Sequence, residues 1–256
     1  MLIAERHRLI ADMTARERFV RTEEIADTLG VSAETVRRDL IALEKRHLLV
    51  RVHGGASAPS AVETDEAPFA ARASAASAAK KSIGALAAEL VADHRSVFID
   101  LGTTALALAR EVPSTFNGSV TTTSIHVAAE LADRTDAEVF LTGGRVRSGD
   151  LALSGSSAVD HLAKVYTDVA FIGSGALHAE AGLTDYHEEE AAARQVAIRN
   201  SQEIWALVDS SKFGRIARSR VASLEQLTGI VSDTQPPADL TDALLDAGVR
   251  VLVPQS

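Results

Sequence analysis

Thr22-Glu-Glu-Ile-Ala-Asp-Thr-Leu-Gly-Val-Ser-Ala-Glu-Thr-Val-Arg-Arg-Asp-Leu40 reads as two short helices about a turn at Gly30-Val31. Thr22 and Ser32 are placed to cap the two helices, each with glutamates in the following turn. Gly30 stands where a left-handed stop ends the first helix. Ile25 and Leu29 share one face of the first helix; Val36, Leu40 and Leu43 share one face of the second. Glu34, Thr35, Arg37 and Arg38 are left pointing outward. A helix-turn-helix requires this division, with an apolar face joining the helices and a polar face entering the major groove. A hairpin with a merely solvated charged face explains the charges but not the caps, turn and spacing together.

Downstream, Leu48-Leu-Val-Arg-Val-His-Gly-Gly-Ala56 is a short β-branched run ending in two glycines, a strand entering a tight turn. After a recognition helix such a strand forms a wing, from which Arg51 and His53 reach backbone phosphates. Upstream, Leu2, Leu9, Ile10 and Met13 give a further helix a buried face. Arg6, Arg8, Arg16, Arg18 and Arg21 add cations, which Glu5, Asp12 and Glu17 partly offset. The expected DNA-contacting set is therefore Ser32, Glu34, Thr35, Arg37, Arg38, Arg51 and His53.

The whole chain of 256 residues carries a net charge of −9, which taken globally opposes nucleic-acid binding. The charge is unevenly placed. Residues 1–57 hold ten Lys and Arg against nine Asp and Glu, leaving sixteen against twenty-six in the remainder. Positive charge is thus local to the elements that would face DNA, and the acidic bulk discourages indiscriminate adhesion. A hydrophobic content of 46% excludes wholesale disorder, and the absence of cysteine excludes disulfides and thiolate zinc sites. The N-terminus is unlike a signal peptide, and no apolar run approaches the ~20 residues needed to span a bilayer. The expectation is a cytoplasmic protein with no membrane partner.

Residues 1–57 are expected to form the DNA-binding domain, 58–79 a linker and connecting helix, and 80–256 an effector-binding domain. The linker is rich in Ala, Ser and Pro; Ile83, Leu86, Leu90 and Val91 then mark a helical stripe. Beyond Ser96 short apolar strands alternate with helices: strands at 96–100, 118–121, 138–142, 168–172, 203–209, 230–231 and 250–253, with a long helix over 188–200. That alternation implies an α/β domain with a largely parallel, Rossmann-like sheet covered on both faces.

In such sheets ligands bind beyond the carboxyl ends of the strands. That edge carries Asp100 and Gly102-Thr103-Thr104, then Thr122-Thr123-Ser124, Gly143-Gly144-Arg145, Gly173 and Gly175, and Lys212. Glycine admits close backbone approach, hydroxyls donate, helix N-termini present unpaired N–H groups, and an ammonium adds charge. A phosphate is expected between Thr103, Thr104, Ser124 and Lys212, with Asp100 and the acids of 188–190 on hydroxyls. Each element alone also reads as an ordinary turn or a surface lysine; four strand ends of one chemical character do not. His187-Glu-Glu-Glu190 lacks a second histidine at helical spacing, so no metal is expected. There is no Gly-x-Ser-x-Gly elbow and no Walker-type loop. Trp205, inside an apolar strand, reads as core. No cofactor is expected.

Arg6-x-x-x-Ile10, Glu24-Ile-Ala, Val31-Ser-x-x-Thr-Val-Arg-Arg-Asp-Leu40, Leu43-Glu44 and Val52-His-Gly-Gly-Ala56 resemble the signature of the DeoR-type (GlpR-type) bacterial transcriptional regulators. Phe98-Ile-Asp-Leu-Gly-Thr-Thr104, Leu141-Thr-Gly-Gly144, Asp168-Val-Ala-Phe-Ile-Gly173 and Asp209-Ser-Ser-Lys-Phe-Gly214 are similar to that family's sugar-phosphate sensor. The resemblance implies a winged helix-turn-helix domain, a sensor, and repression of a carbohydrate-use operon until a phosphorylated sugar binds. A homo-oligomer, dimer or tetramer, on double-stranded operator DNA goes with it. The chain departs from the family at Thr123, where asparagine is usual, and at Arg194, where lysine is usual.

The sensor also resembles ribose-5-phosphate isomerase through Gly102–Thr104 and Asp209–Lys212, so one alternative is a sugar-phosphate isomerase-like enzyme. Proton shuttling between carbons needs carboxylates close to substrate. The segment that supplies them in the isomerase corresponds to Ile172-Gly-Ser-Gly175 here, which has none. The other alternative is a DNA-binding activator with no ligand, against which the strand-end cluster argues. The expectation is a regulator that is not an enzyme.

Overall fold

The computed structural model describes residues 3–17, 19–46, 48–52, 55–57 and 65–255. Leu2, Arg18, His53 and the side chains of Arg16, Glu17 and Arg51, for which sequence expectations were stated, lie outside the described residues, as does the linker stretch 58–64. The chain divides into two compact units, Met1–Ala61 and Val62–Ser256.

In the first unit α1 (Ile3–Glu17) leads through β1 (Phe19–Arg21) into α2 (Thr22–Leu29) and α3 (Ala33–Lys45), followed by β2 (Val50–Val52) and β3 (Gly55–Ser57). The three strands pair antiparallel in the order β1-β3-β2, so the wing expected from Leu48–Ala56 is a hairpin extended by β1. Ile10, Val20, Ile25, Val36, Leu43 and Ala56 are wholly buried in one cluster, with Met13, Leu29 and Val31 packed against it. The stripes of α2 and α3 thus meet as their spacing requires.

Gly30 ends α2 in the left-handed conformation (φ 63, ψ 36), and nothing lies within 4 Å of where its Cβ would be. Backbone strain rather than lack of space is what reserves this position for glycine. Ser32 caps α3, accepting a hydrogen bond from Thr35 N at 3.2 Å. Thr22 does not cap α2 as expected. β1 runs straight into the helix, so the extended residue at the boundary is Arg21, while Thr22 is already helical and buried.

The second unit begins with α4 (Phe69–Ser74) and α5 (Ser77–Val91). β4 (Ser96–Ile99), α6 (Thr103–Glu111), β5 (Ser119–Thr122), α7 (Ile125–Arg134) and β6 (Glu138–Leu141) follow. A hairpin of β7 (Arg145–Arg147) and β8 (Ala152–Ser154) leads to α8 (Ser156–Leu162) and β9 (Thr167–Gly173). β10 (Ala176–His178), β11 (Gly182–Asp185), α9 (Glu188–Arg199) and β12 (Ser201–Val208) come next. β13 (Ser219–Ala222), β14 (Gly229–Ser232), α10 (Ala238–Asp246) and β15 (Arg250–Leu252) complete it.

Seven strands form one sheet in the order β15-β14-β12-β9-β4-β5-β6, every pairing parallel. The two sheet faces can be read along β9. Val169 and Phe171 join a core with Ile83, Leu108, Leu131 and Trp205, under α5, α6 and α7. Ala170 and Ile172 join the opposite core with Leu162, Val196, Ile198 and Leu244, under α8, α9 and α10. Burial on both faces makes the central strands, such as β9, apolar over most of their length rather than alternating, whereas the edge strand β6 is largely exposed. Trp205 is wholly buried, as its setting predicted. The β7–β8 hairpin and the small sheet β10-β11-β13 have no counterpart in the sequence expectation.

Among the described residues no helix is long and apolar enough to cross a membrane.

Candidate nucleic-acid interface and anion pocket

On α3 the side chains of Arg37 and Arg38 are 57% and 78% exposed. Each stands near Glu34, with Arg37 Nη1 at 3.5 Å and Arg38 Nε at 3.6 Å from its carboxylate. Exposed pairs of this kind are worth less than ~1 kcal/mol, so a phosphate or base edge readily replaces the glutamate. Ser32 is exposed beside them, its hydroxyl 2.9 Å from Thr35 Oγ1. Of the seven residues expected at DNA, Ser32, Glu34, Thr35, Arg37 and Arg38 therefore cluster at the start of one helix.

Asp39, on the same helix, is buried and faces α1. It accepts from Arg6 Nε at 2.5 Å and Nη2 at 2.9 Å, and lies 3.0 Å from His7 Nε2. Burial pushes its carboxyl up, but the hydrogen bonds and charges of Arg6 and His7 outweigh this and hold it below the usual carboxylate range. The bridge fixes the recognition helix against α1. Sequence reasoning passed over Asp39, although its place between Val36 and Leu40 on the buried stripe was a signal that it needed a partner.

In the second unit the loops after β4, β9 and β12 line one pocket at the carboxyl edge of the sheet. Gly102, Thr103, Thr104, Gly173 and Lys212 all line it, joined by Ser174, Asp185, Arg194, Asp209 and Ser211. Gly102 precedes α6 without a side-chain cap, leaving the leading N–H groups of that helix for a ligand. The segment before and within α4 and α5, expected as linker and connecting helix, supplies Glu66, Arg72, Ala75 and Ala76, with Lys80 just beyond.

Asp100 is wholly buried at the end of β4. Its Oδ2 accepts from Gly173 N at 2.9 Å and Arg194 Nε at 2.5 Å, and its Oδ1 has no hydrogen-bond partner among the described residues. Arg194, 3% exposed, also sets Nη1 2.9 Å from Asp185 Oδ2, an ion contact without hydrogen-bond alignment. Burial pushes the Asp100 carboxyl up, against the opposing pull of Arg194 and of the Leu101 and Gly173 N–H groups. Burial pulls the Arg194 guanidinium down, but Asp100 and Asp185 raise it further than burial lowers it.

Lys80 donates to the carbonyl oxygens of Arg72 and, at 2.7 Å, Ala75. Burial lowers its pKa, with Lys212 and Arg72 adding to the effect and Asp209 opposing it. An ammonium in this position is poised to gain from an arriving anion.

Five expected residues stand outside this pocket's lining, the first being Asp100, which is wholly buried. Thr122 Oγ1 accepts from Ser124 N at 3.0 Å, and Ser124 Oγ caps α7 by accepting from Val127 N at 3.2 Å. Their hydroxyls are spent on the chain itself. Gly143 lines a separate concavity with Ser157, Asp160, His161, Lys164 and Val165. Gly144 (φ 127) is a packing glycine: a Cβ there would lie 2.4 Å from Ser154 O. The acids expected on hydroxyls are engaged too, Glu190 with Arg147 Nε at 2.5 Å and Glu189 with Arg145 and Ser154.

Arg72, Lys80, Asp185 and Glu66 were missed from the sequence as pocket residues. One signal existed: Lys80 stands three and seven residues before buried Ile83 and Ala87, on the inner stripe of α5, whereas Lys81 is exposed. Among the described residues no group of three or more His, Asp or Glu is arranged to hold a metal ion.

Residues 75–234 match the family described as the DeoR C terminal sensor domain, and residues 6–62 the DeoR-like helix-turn-helix domain. The chain is 29% identical over 247 residues to the glycerol-3-phosphate regulon repressor of Escherichia coli (strain K12), spanning 96% of this chain and 97% of that protein. It is 34% identical over 252 residues to the HTH-type transcriptional regulator GlpR of Haloferax volcanii, spanning 98% of each. Among solved structures, ribose 5-phosphate isomerase A from Methanocaldococcus jannaschii aligns with a TM-score of 0.41 at 17% identity, over 54% of this chain and 55% of that one. The exposed arginines of a helix-turn-helix and the strand-end pocket thus occur in a chain that belongs to the DeoR family of DNA-binding transcriptional regulators.

Proposed function

We propose that this regulator represses a carbohydrate-use operon and leaves its operator when a phosphorylated sugar fills the pocket of the second unit. The observation that carries this reading is the convergence of Arg72, Lys80 and Lys212 with the uncapped start of α6 in one cleft. Such a cleft suits a phosphate, and Ser174, Asp185 and Asp209 in its lining offer acceptors to sugar hydroxyls, with buried Asp100 behind them holding Arg194. The ligand phosphate is assigned to Thr103, Thr104 and Lys212, with Lys80 and Arg72 added. Thr122, Ser124, Gly143 and Gly144 are assigned to the scaffold instead.

On the DNA side Arg37 and Arg38 are assigned to guanine edges or phosphates, with Ser32, Glu34 and Thr35 beside them and Arg51 and His53 on the backbone. A homo-oligomer, dimer or tetramer, acting in the cytoplasm would bring recognition helices to successive major grooves. Induction requires the sugar phosphate to bind the DNA-free arrangement better; equal affinity for both shifts nothing.

A binding role suits the pocket better than catalysis. Asp100 and Asp185 are tied to Arg194, and Asp209 accepts from Ser211, so these carboxylates are held by cations and donors rather than poised to move protons. The test is a panel of phosphorylated sugars, glycerol 3-phosphate included, screened for a rise in Tm and then for release of upstream promoter DNA. A hit that stabilises the protein, frees DNA and is recovered unchanged supports the reading. Conversion of the compound, or release without any ligand dependence, overturns it.

A further inference from the structure

Glu66 lines the pocket on the side of Arg72, one of the cations assigned to the ligand's phosphate. It lies in the extended residues just before α4, half-buried, with Oε1 3.1 Å from Arg72 Nη1. Its Oε2 is 3.3 Å from His187 Nε2 and 3.6 Å from Arg147 Nη2. We propose that Glu66 is a tethered competitor for the effector: its carboxylate holds the Arg72 side of the pocket until the ligand's phosphate takes its place. This rests on the assignment of the pocket to a phosphorylated ligand.

The surrounding contacts favour displacement. Arg72 is also paired with Asp150, and Arg147 with Asp150 at 2.8 Å and Glu190 at 2.5 Å, so neither cation is orphaned when Glu66 leaves. His187 is 38% exposed and can turn to water. The Glu66 charge is disfavoured where it sits. Burial pushes its carboxyl up, Asp185 and Asp150 add to this, and Arg72 and Arg147 recover only part.

The same contacts pin the segment that carries Glu66. Arg72 Nε donates to Ala67 O at 2.8 Å, and Lys80 holds the carbonyls of Arg72 and Ala75. A phosphate drawing on Arg72 and Lys80 would therefore loosen residues 66–76 as it evicts Glu66, and this is the segment that follows the DNA-binding unit in sequence.

The experiment titrates inorganic phosphate against the intact chain, by calorimetry and by the rise in Tm, for wild type, Glu66→Gln, Glu66→Ala and Lys212→Ala. Glu66→Gln keeps the shape of the side chain, and Glu66→Ala guards against a fault peculiar to glutamine. Removal of one like charge a few ångströms away is expected to tighten phosphate binding by roughly tenfold in both Glu66 variants, and Lys212→Ala to abolish it. Equal or weaker binding in both Glu66 variants, with loss in Lys212→Ala, overturns the competitor and leaves the pocket standing. No binding in wild type or in either Glu66 variant, or binding that survives Lys212→Ala, overturns the pocket assignment and the competitor with it.

Discussion

The arginines of α3 and those of the sensor pocket show two ways of holding positive charge. Arg37 and Arg38 are more than half exposed and share a single glutamate at 3.5 Å or beyond. Arg194 is 3% exposed and sits between two buried aspartates, while Arg72 is 14% exposed between Glu66 and Asp150. An exposed guanidinium keeps its side-chain freedom and its hydration until a polyanion arrives, which suits a long, salt-sensitive surface such as DNA. A buried one is fixed by its partners beforehand, which suits recognition of one small anion at one place. The same residue type is thus left open to solvent in the first unit and, at Arg194, is a strut between two buried acids in the second.

If this contrast is right, removal of the strut should cost most. Arg194→Met strands Asp100 and Asp185 without their cation and should destabilise the chain by about 3–5 kcal/mol, read as a lower urea midpoint; a change below 1 kcal/mol would remove Arg194 from that role.

Asp39 tests whether the recognition helix is itself held by a buried bridge. Asp39→Ala leaves buried His7 and Arg6 without their acceptor and should cost about 1–3 kcal/mol. Because its folded pKa is depressed, the stability Asp39 contributes is present above the ordinary carboxylate pKa and is lost as pH falls through the folded value. The wild type should therefore lose stability below about pH 4 more steeply than Asp39→Ala. Parallel acid curves would contradict the bridge.

Arg37→Ala and Arg38→Ala should each weaken operator binding by about 1–3 kcal/mol while leaving Tm nearly unchanged. A loss of Tm matching the loss of affinity would mean these arginines serve the fold. A residue on phosphate alone should also flatten the salt dependence by about one counterion, which separates base contacts from backbone contacts. The smallest effect is expected at Ser32→Ala, about 1 kcal/mol of stability through the lost cap, and a larger fall in DNA affinity than in stability would reveal a direct contact.

Legibility from sequence followed the reach of the determining interaction. Gly30, Ser32 and the stripe Ile25, Val36, Leu40 and Leu43 are set within a turn or two of helix, so their places were readable in advance. The parallel sheet was equally legible, because its central strands, buried on both faces, carry short apolar runs between helices. Thr22 failed because its role depended on β1 running directly into α2, a pairing with Gly55–Ser57 more than thirty residues away. Glycine and hydroxyl patterns pointed to the sheet edge where the pocket lies but could not separate Thr103 and Thr104, which line it, from Thr122 and Ser124, whose oxygens serve local backbone. Arg72 and Glu66 lie in the stretch read as linker and connecting helix, Asp185 in one given no role, and only the fold brings them to the strand ends.

On the proposed function, occupancy of the sensor pocket governs the DNA-binding face. Fluorescence anisotropy of labelled operator DNA, with a stabilising phosphorylated sugar titrated against wild type and Lys212→Ala, tests it most directly. Both proteins are expected to bind DNA equally well, and only the wild type is expected to be released. Equal release of both, or no release of either by any phosphorylated sugar, would contradict it.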